Sequence, residues 1–399
     1  MGFIDLTMPH KEPLTSYQRL HAAWNLQEAD RVPATPVNCY IVAYQAGLSI
    51  RQMFTEPERF VQAAIGCMDF LGDAIDPNIT TLDHLSLRPK SGWDQVSLDW
   101  RIVDHFPPDG NIPSSYFDKV ILEDYDEVLK HGFASLLFNR KIPHKVFSRE
   151  NLDDYLFYEF EYPKLFAAAW KRFVEETGVN LLMGGRATIP FEYLLYYRTF
   201  PRFIEDLVEC PEKVLALCDR VVEYEMTRAM EQAIVMGAGE VPGAEIIFFQ
   251  AGIVGPPYVS PTVFNEFVYP ALKKGVDLVV RRGFKVHVHM DGDLTAVLPT
   301  LRGIADGLPR GRIVLDFEKT DMRKAKEILG ERVCIHGNVP SALLVYGSVD
   351  EVETYCKRLI QDCARGGGFL LSTECEVPWD ARRENVRALV ESARKYGQY

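Results

Sequence analysis

Short runs of apolar, largely β-branched residues, each ending in a polar residue or glycine, alternate with helix-length amphipathic stretches along the 399-residue chain. Eight such runs stand out, at 32–39, 73–80, 180–186, 244–251, 284–290, 312–317, 333–338 and 368–374. Near-continuous hydrophobic strands of this kind suit a parallel sheet whose outer face is covered by helices. The intervening helices carry the matching period. Over 261–282, Phe264, Phe267, Val268, Ala271, Leu272, Val276, Val279 and Val280 recur at helical spacing, and Gly283 supplies the stop. Segments 321–330, 349–366 and 380–396 follow the same logic. Eight strands, seven connections and a final helix make an α/β chain with the count of a (β/α)8 TIM barrel. A doubly wound open sheet is the alternative, which only closure would separate. One connection, 81–179, is too long for a single helix and reads as an insertion between the second and third strands. It is expected to cover one barrel mouth within a single domain spanning 1–399, with a short hairpin in its Trp-, Asp- and Pro-rich part.

The formal net charge of −12 disfavours a phosphate backbone as partner, so no nucleic acid is expected. No window approaches the roughly 18 uninterrupted apolar residues of a membrane span. The start, MGFIDLTMPHKEP, lacks the apolar core of a signal peptide and the hydroxyl residue of a myristoylation site, Leu6 standing there. Eight scattered cysteines without a CxxC pair read as free thiols, mostly buried, in a reducing cytoplasm.

In a barrel the chemistry gathers at the C-terminal ends of the strands. Those ends supply Cys39 and Tyr40, Asp76 and Asn78, Arg186, Gln250, His287, His289 and Asp291, Asp316 and Glu318, His336 and Asn338, and Glu374 and Cys375. Strand alternation places His287, His289 and Asp291 on one face. With Cys375 from the eighth strand, His289 and Asp291 offer an N/O/S set that fits catalytic zinc better than magnesium or calcium. His287 is the alternative ligand or a core histidine, and Glu374 also competes for the third position. Aromatic residues thicken near the same mouth, in PFEYLLYYRTF at 190–200 and at Phe248-Phe249, and an apolar wall with few polar groups suits a planar ligand. Tyr193, Phe249, Arg186, Gln250 and Asn338 are the candidate substrate contacts.

Over nearly its whole length the chain resembles the uroporphyrinogen decarboxylase superfamily, and within it the corrinoid-dependent methyltransferase branch. The resemblance rests on the order of DRVPATPV at 30–37, SPTVFNEFVYP at 260–270, HMDG at 289–292, HGNVP at 336–340 and GGFLLSTECEVP at 367–378, followed by RENVRALVESA. In those methyltransferases a His-x-Cys pair and a distant cysteine hold zinc. His289 and Cys375 match, whereas Asp291 stands at the middle position. The resemblance therefore implies a zinc enzyme of the methyl-ether-cleaving kind, an O-demethylase component. It would take a methyl group from a small donor, a methoxylated aromatic, and pass it to the cobalt of a separate corrinoid (cobalamin) protein. Its thiol-methylating relatives are a second alternative. Here Asp316, His336 and Glu374 would orient the ligands or supply a proton. The decarboxylase reaction is disfavoured because NCYIVAYQAGLSIRQMF, at 38–54, carries one arginine where a polycarboxylate would need several. A metal-free decarboxylase or lyase and a non-catalytic binding barrel are the rival readings.

Overall fold

The computed structural model describes residues 13–37, 39–49, 52–53, 56–71, 122, 124–132, 162–178 and 183–399. Six parallel strands lie side by side in chain order: β1 Gly185–Thr188, β2 Ile246–Ala251, β3 Lys285–Met290, β4 Ile313–Phe317, β5 Cys334–Val339 and β6 Phe369–Thr373. Beyond β6 the segment around 34–37 continues the parallel order, with bridges from Ala34 to Leu371 and from Val37 to Glu376. It makes single bridges rather than a ladder because Pro33 and Pro36 have no N–H to give, and a helix, Cys39–Gln45, already starts where the strand was expected to end. These are consecutive staves of a (β/α)8 barrel. The 73–80 run assigned to the remaining stave lies outside the described residues, as do its Asp76 and Asn78. So does the hairpin expected within 81–179, of which the helices Tyr125–His131 and Tyr162–Thr177 are described.

Alternation divides each strand cleanly. Val286, Val288 and Met290, Ile313, Leu315 and Phe317, and Phe369 and Leu371 all enter the main hydrophobic cluster beneath the outer helices. The opposite parity fills the barrel. At its N-terminal end Ile246, Val314, Cys334 and Leu370 meet Leu20, Ala23 and Trp24 of the Ser16–Trp24 helix, which plugs the bottom. A Thr15–Gln18 capping box starts that helix. Above this plug the interior turns polar, with His287, His289, Asp316 and His336 all buried.

Two local departures have clear causes. Of the third expected strand, 180–186, residues 183–186 are described, and the strand there is Gly185–Thr188. Gly184 and Gly185 sit against the backbone of Ala244 and Ala229, where a Cβ would fall within 2 Å of a carbonyl oxygen, at 1.7 and 1.9 Å. Only glycine permits that approach. The helix beginning at Pro261 opens into a π turn over Phe264–Val268 before continuing as Tyr269–Arg281. Pro270, which cannot donate a backbone hydrogen bond, follows directly.

The plug is tied down by a buried ion pair. Arg19 Nε and Nη2 donate to the two carboxylate oxygens of Asp30 at 2.6 and 2.7 Å. Burial alone would raise the Asp30 carboxyl, but the Arg19 guanidinium outweighs it and holds the group below the usual carboxylate range. A depressed folded-state value stabilises the fold above the unfolded value, near pH 3.9, and the contribution is lost as pH falls through the folded value. Arg19→Met is expected to cost about 3 kcal/mol in urea denaturation at neutral pH. The difference from wild type should shrink below pH ~4; a pH-independent difference would show that the charge pair contributes nothing.

Candidate metal centre at the barrel mouth

The centre is built on register. Gln250 pairs with His289, His289 with Asp316, and Asp316 with His336 across β2 to β5, so four polar side chains of one parity stand in a row. Asp316 is the hub. Its Oδ2 accepts from Nδ1 of His289 at 2.7 Å and lies 3.3 Å from Nε2 of His287. Its Oδ1 lies 2.8 Å from Nδ1 of His336, an ion-pair contact without hydrogen-bond alignment. His336 Nε2 in turn meets Thr35 Oγ1 at 2.9 Å, which brings the first strand into the network.

Three imidazoles around one buried carboxylate separate in character. Burial pushes His287 down to about 4, so its ring is neutral. For Asp316 burial opposes the charge, yet His336 and His289 hold its carboxyl well below the usual range. Burial would also lower His289, but Asp316 and then Asp291 outweigh it, and the ring is held well above its ordinary value. Without a metal, His289 therefore carries a proton on each nitrogen.

With Nδ1 committed to Asp316, Nε2 of His289 faces outward to the mouth. There it lies 2.9 Å from Asp291 Oδ1. The ligand atoms of His289, Asp291 and Cys375 all fall within 4.8 Å of one another. Asp291 Oδ1 is buried and has no aligned hydrogen-bond partner among the described residues. An acceptor out of reach of water, beside an imidazole nitrogen and a thiol, fits a bare ion held by N, O and S donors. Burial raises the Cys375 thiol, with His289 partly opposing, so metal binding would have to displace its proton. The carboxylate–histidine arrangement behind Nε2 is the support that fixes ring orientation at metal sites. The second cluster, His287 with Asp316 and His336, is buried at comparable spacing, and its hydrogen bonds to Asp316 and Thr35 give it a supporting role.

Of the expected ligands, His289, Asp291 and Cys375 come together, whereas His287 stays beneath them against Asp316. Glu374 does not join them. Its Oε1 accepts from the Ser341 N–H at 2.8 Å, and it lines a neighbouring cavity with Asn338. Burial raises its carboxyl, Glu318 adding to the effect and the Ser341 N–H opposing it. Among the expected substrate contacts, Phe249 requires correction. It lies on the helix-facing side of β2 and packs against Gly275. Phe248 faces inward instead, stacked on His289 at 5.9 Å and edge-on to His287 at 5.3 Å. The same alternation that put Gln250 at the mouth already assigned Phe248 to the interior. Arg186 pairs with Phe248 and so shares its inward parity, deeper than a strand end. Tyr193 is buried in the main cluster. Glu192, which sequence reasoning did not select, is fully buried and accepts from the Ile253 N–H at 3.2 Å. Around Gly252 its Oε1 gathers with Gln250 Nε2 and Asp291 Oδ2, 3.5, 2.8 and 3.0 Å from where a Cβ would stand.

A parallel α/β barrel with a polar interior and an N/O/S donor set at its C-terminal mouth defines the class. Residues 141–396 match the model of the family described as uroporphyrinogen decarboxylase (URO-D), and the chain belongs to that family. No curated protein gives a significant match. Among solved structures, a methyltransferase from Methanosarcina mazei superposes with a TM-score of 0.66 at 19% identity, over 96% of this chain and 99% of that one. A B12-independent methionine synthase from Shewanella sp. W3-18-1, in complex with selenomethionine, matches at 15% identity with a TM-score of 0.38, over 58% of this chain and 67% of that one. No described helix is long and apolar enough to cross a membrane.

Asp316→Asn keeps the shape of the hub and removes its charge. It is expected to weaken zinc binding about 10- to 100-fold, measured by competition with a chromogenic chelator. Wild-type affinity in that variant would show that the carboxylate does not set the His289 ring.

Proposed function

We propose that the protein is a zinc-dependent methyltransferase that cleaves a methyl ether and passes the methyl group to the cobalt of a separate corrinoid protein. The observation that carries this reading is the convergence of the His289, Asp291 and Cys375 donor atoms within 4.8 Å of one another, with His289 Nε2 2.9 Å from Asp291 Oδ1. These residues would hold the zinc. When bound, the metal supplies a Lewis acid that polarises the ether oxygen and stabilises it as it leaves.

The chain's own residues do the rest. Asp316 holds the His289 ring through Nδ1, and His336, anchored on Thr35, holds Asp316. Phe248 provides an apolar wall beside the His289 ring, suited to a methoxylated aromatic donor. Gln250 Nε2, close to Asp291 Oδ2 over Gly252, is placed to donate to a ring substituent. Arg186, of the same inward parity as Phe248, is a second candidate for that task. The fold of the Methanosarcina mazei methyltransferase is consistent with this chemistry. A metal-free decarboxylase or lyase is the second reading, favoured by the family match itself; it requires full activity in the presence of chelator.

Purified protein is expected to hold about one zinc per chain by elemental analysis, falling well below one in His289→Ala and Cys375→Ser. With zinc bound, an aromatic methyl ether should methylate a cobalt(I) corrinoid protein, and chelator should abolish the transfer. Transfer that survives chelator, or no methylation from any methyl ether, would overturn the reading. Metal uptake must also release protons, because His289 is held protonated and the Cys375 thiol is raised. Zinc affinity should therefore rise with pH, and calorimetry in buffers of different ionisation enthalpy measures the protons released.

A further inference from the structure

A cavity of about 500 Å³ lies behind the C-terminal ends of β4 to β6, under the Met322–Leu329 and Val349–Cys363 helices. Its strand-side wall presents Asn338, Glu318 and Glu374, and its helix-side wall presents Tyr355, Arg358 and Arg323. None of these belongs to the His289, Asp291 and Cys375 set.

The strand-side wall offers acceptors. Asn338 is 6% exposed, and its Nδ2 donates to the carbonyl oxygens of Glu318 at 2.9 Å and Thr320 at 3.1 Å. Two carbonyl partners fix which end of the amide is which. Its Oδ1 is thereby left buried with no partner among the described residues. Such an acceptor calls for a donor from elsewhere. Glu374 beside it adds a half-buried carboxylate to the same wall, hydrogen-bonded by Ser341 and paired with no cation among the described residues.

The helix-side wall adds cations, Arg323 and Arg358, among the carboxylates of Asp321 and Asp362. Arg323 is paired with Glu327, and the neighbouring Lys319 with Glu318. Arg358 instead lies over the Tyr355 ring at 4.9 Å and makes no ion pair among the described residues, even with Asp362 one turn on. It also borders a second cavity, of about 350 Å³. Arg358 also hydrogen-bonds the Tyr355 side chain, and a guanidinium so placed, with five N–H donors and no carboxylate bound, retains donors for one.

Acceptors on one wall and a guanidinium with no carboxylate partner among the described residues on the other are complementary to a molecule carrying both signs. We infer that this cavity is a second binding site, specific for a small zwitterion with an ammonium group on Asn338 Oδ1 and Glu374 and a carboxylate on Arg358, the chemistry of a free α-amino acid. The inference stands apart from the methyl-transfer reading, since it uses neither the metal nor its ligands.

The test is a thermal-shift screen of the full chain against the standard L-amino acids, followed by calorimetry on the best binder. Saturable binding is expected for at least one. Its N-acetyl and carboxamide derivatives should each bind about tenfold or more weakly, because each removes one charge-assisted contact. Arg358→Gln, at an exposed helix position, should lose binding to the same extent while retaining the wild-type melting temperature and zinc content. No saturable binding by any amino acid, equal binding of the N-acetyl derivative, or wild-type binding in Arg358→Gln would each overturn the inference. Sulfate competing as strongly as the amino acid would reduce the site to an anion contact at Arg358 and would likewise overturn it.

Discussion

The buried carboxylate of Asp316 is the constraint on which the interior depends. A barrel of this size ordinarily fills its centre with branched aliphatic layers. Here one layer is ionic, and a charge so deep is tolerable only if its oxygens are engaged from several sides. His289, His287 and His336 supply that engagement. They come from β3 and β5, the two neighbours of β4, so the charge also fixes the registers of three adjacent strands. A one-residue slip of β4 would turn Asp316 toward the helices and Leu315 into the barrel.

The hub also fixes the orientation of the His289 ring. Because Asp316 occupies Nδ1, the outward nitrogen of His289 is the one presented to Asp291 and Cys375. A metal bound there would compete with the proton for that nitrogen. The aspartate that steadies the ring also raises its basicity, so the support both strengthens the donor and makes it harder to deprotonate.

Much of this was legible in the chain, for identifiable reasons. The expected strands at 244–251, 284–290, 312–317, 333–338 and 368–374 agree with β2 to β6 within two residues at either end. All are largely apolar runs buried on both faces. The polar ends singled out for chemistry, His289, Asp291 and Cys375, do converge, because period-two alternation carries three-dimensional information in a parallel strand. What failed was steric or long-range. Nothing in the run at 180–186 says that two glycines are pressed against neighbouring carbonyls. Prolines 33 and 36 could have warned that the first strand would make isolated bridges. Phe249 was chosen over Phe248 although parity already separated them. The Thr35–His336 contact spans 301 residues, beyond any local pattern.

That contact has a temporal side. The segment carrying Thr35 docks on β6, with Thr35 N–H to Leu371 O at 2.8 Å, and Val32 N–H reaches Gly397 O at 2.9 Å. During synthesis this segment emerges well before its partners on β6 and at Gly397. It must wait, apolar and unpaired, while hundreds of residues are added before it can close the ring. Long-range closure of this kind is slow and leaves the unfinished chain sticky. The same closing step seats Thr35 on His336, so the polar network around Asp316 is completed only as the ring is sealed.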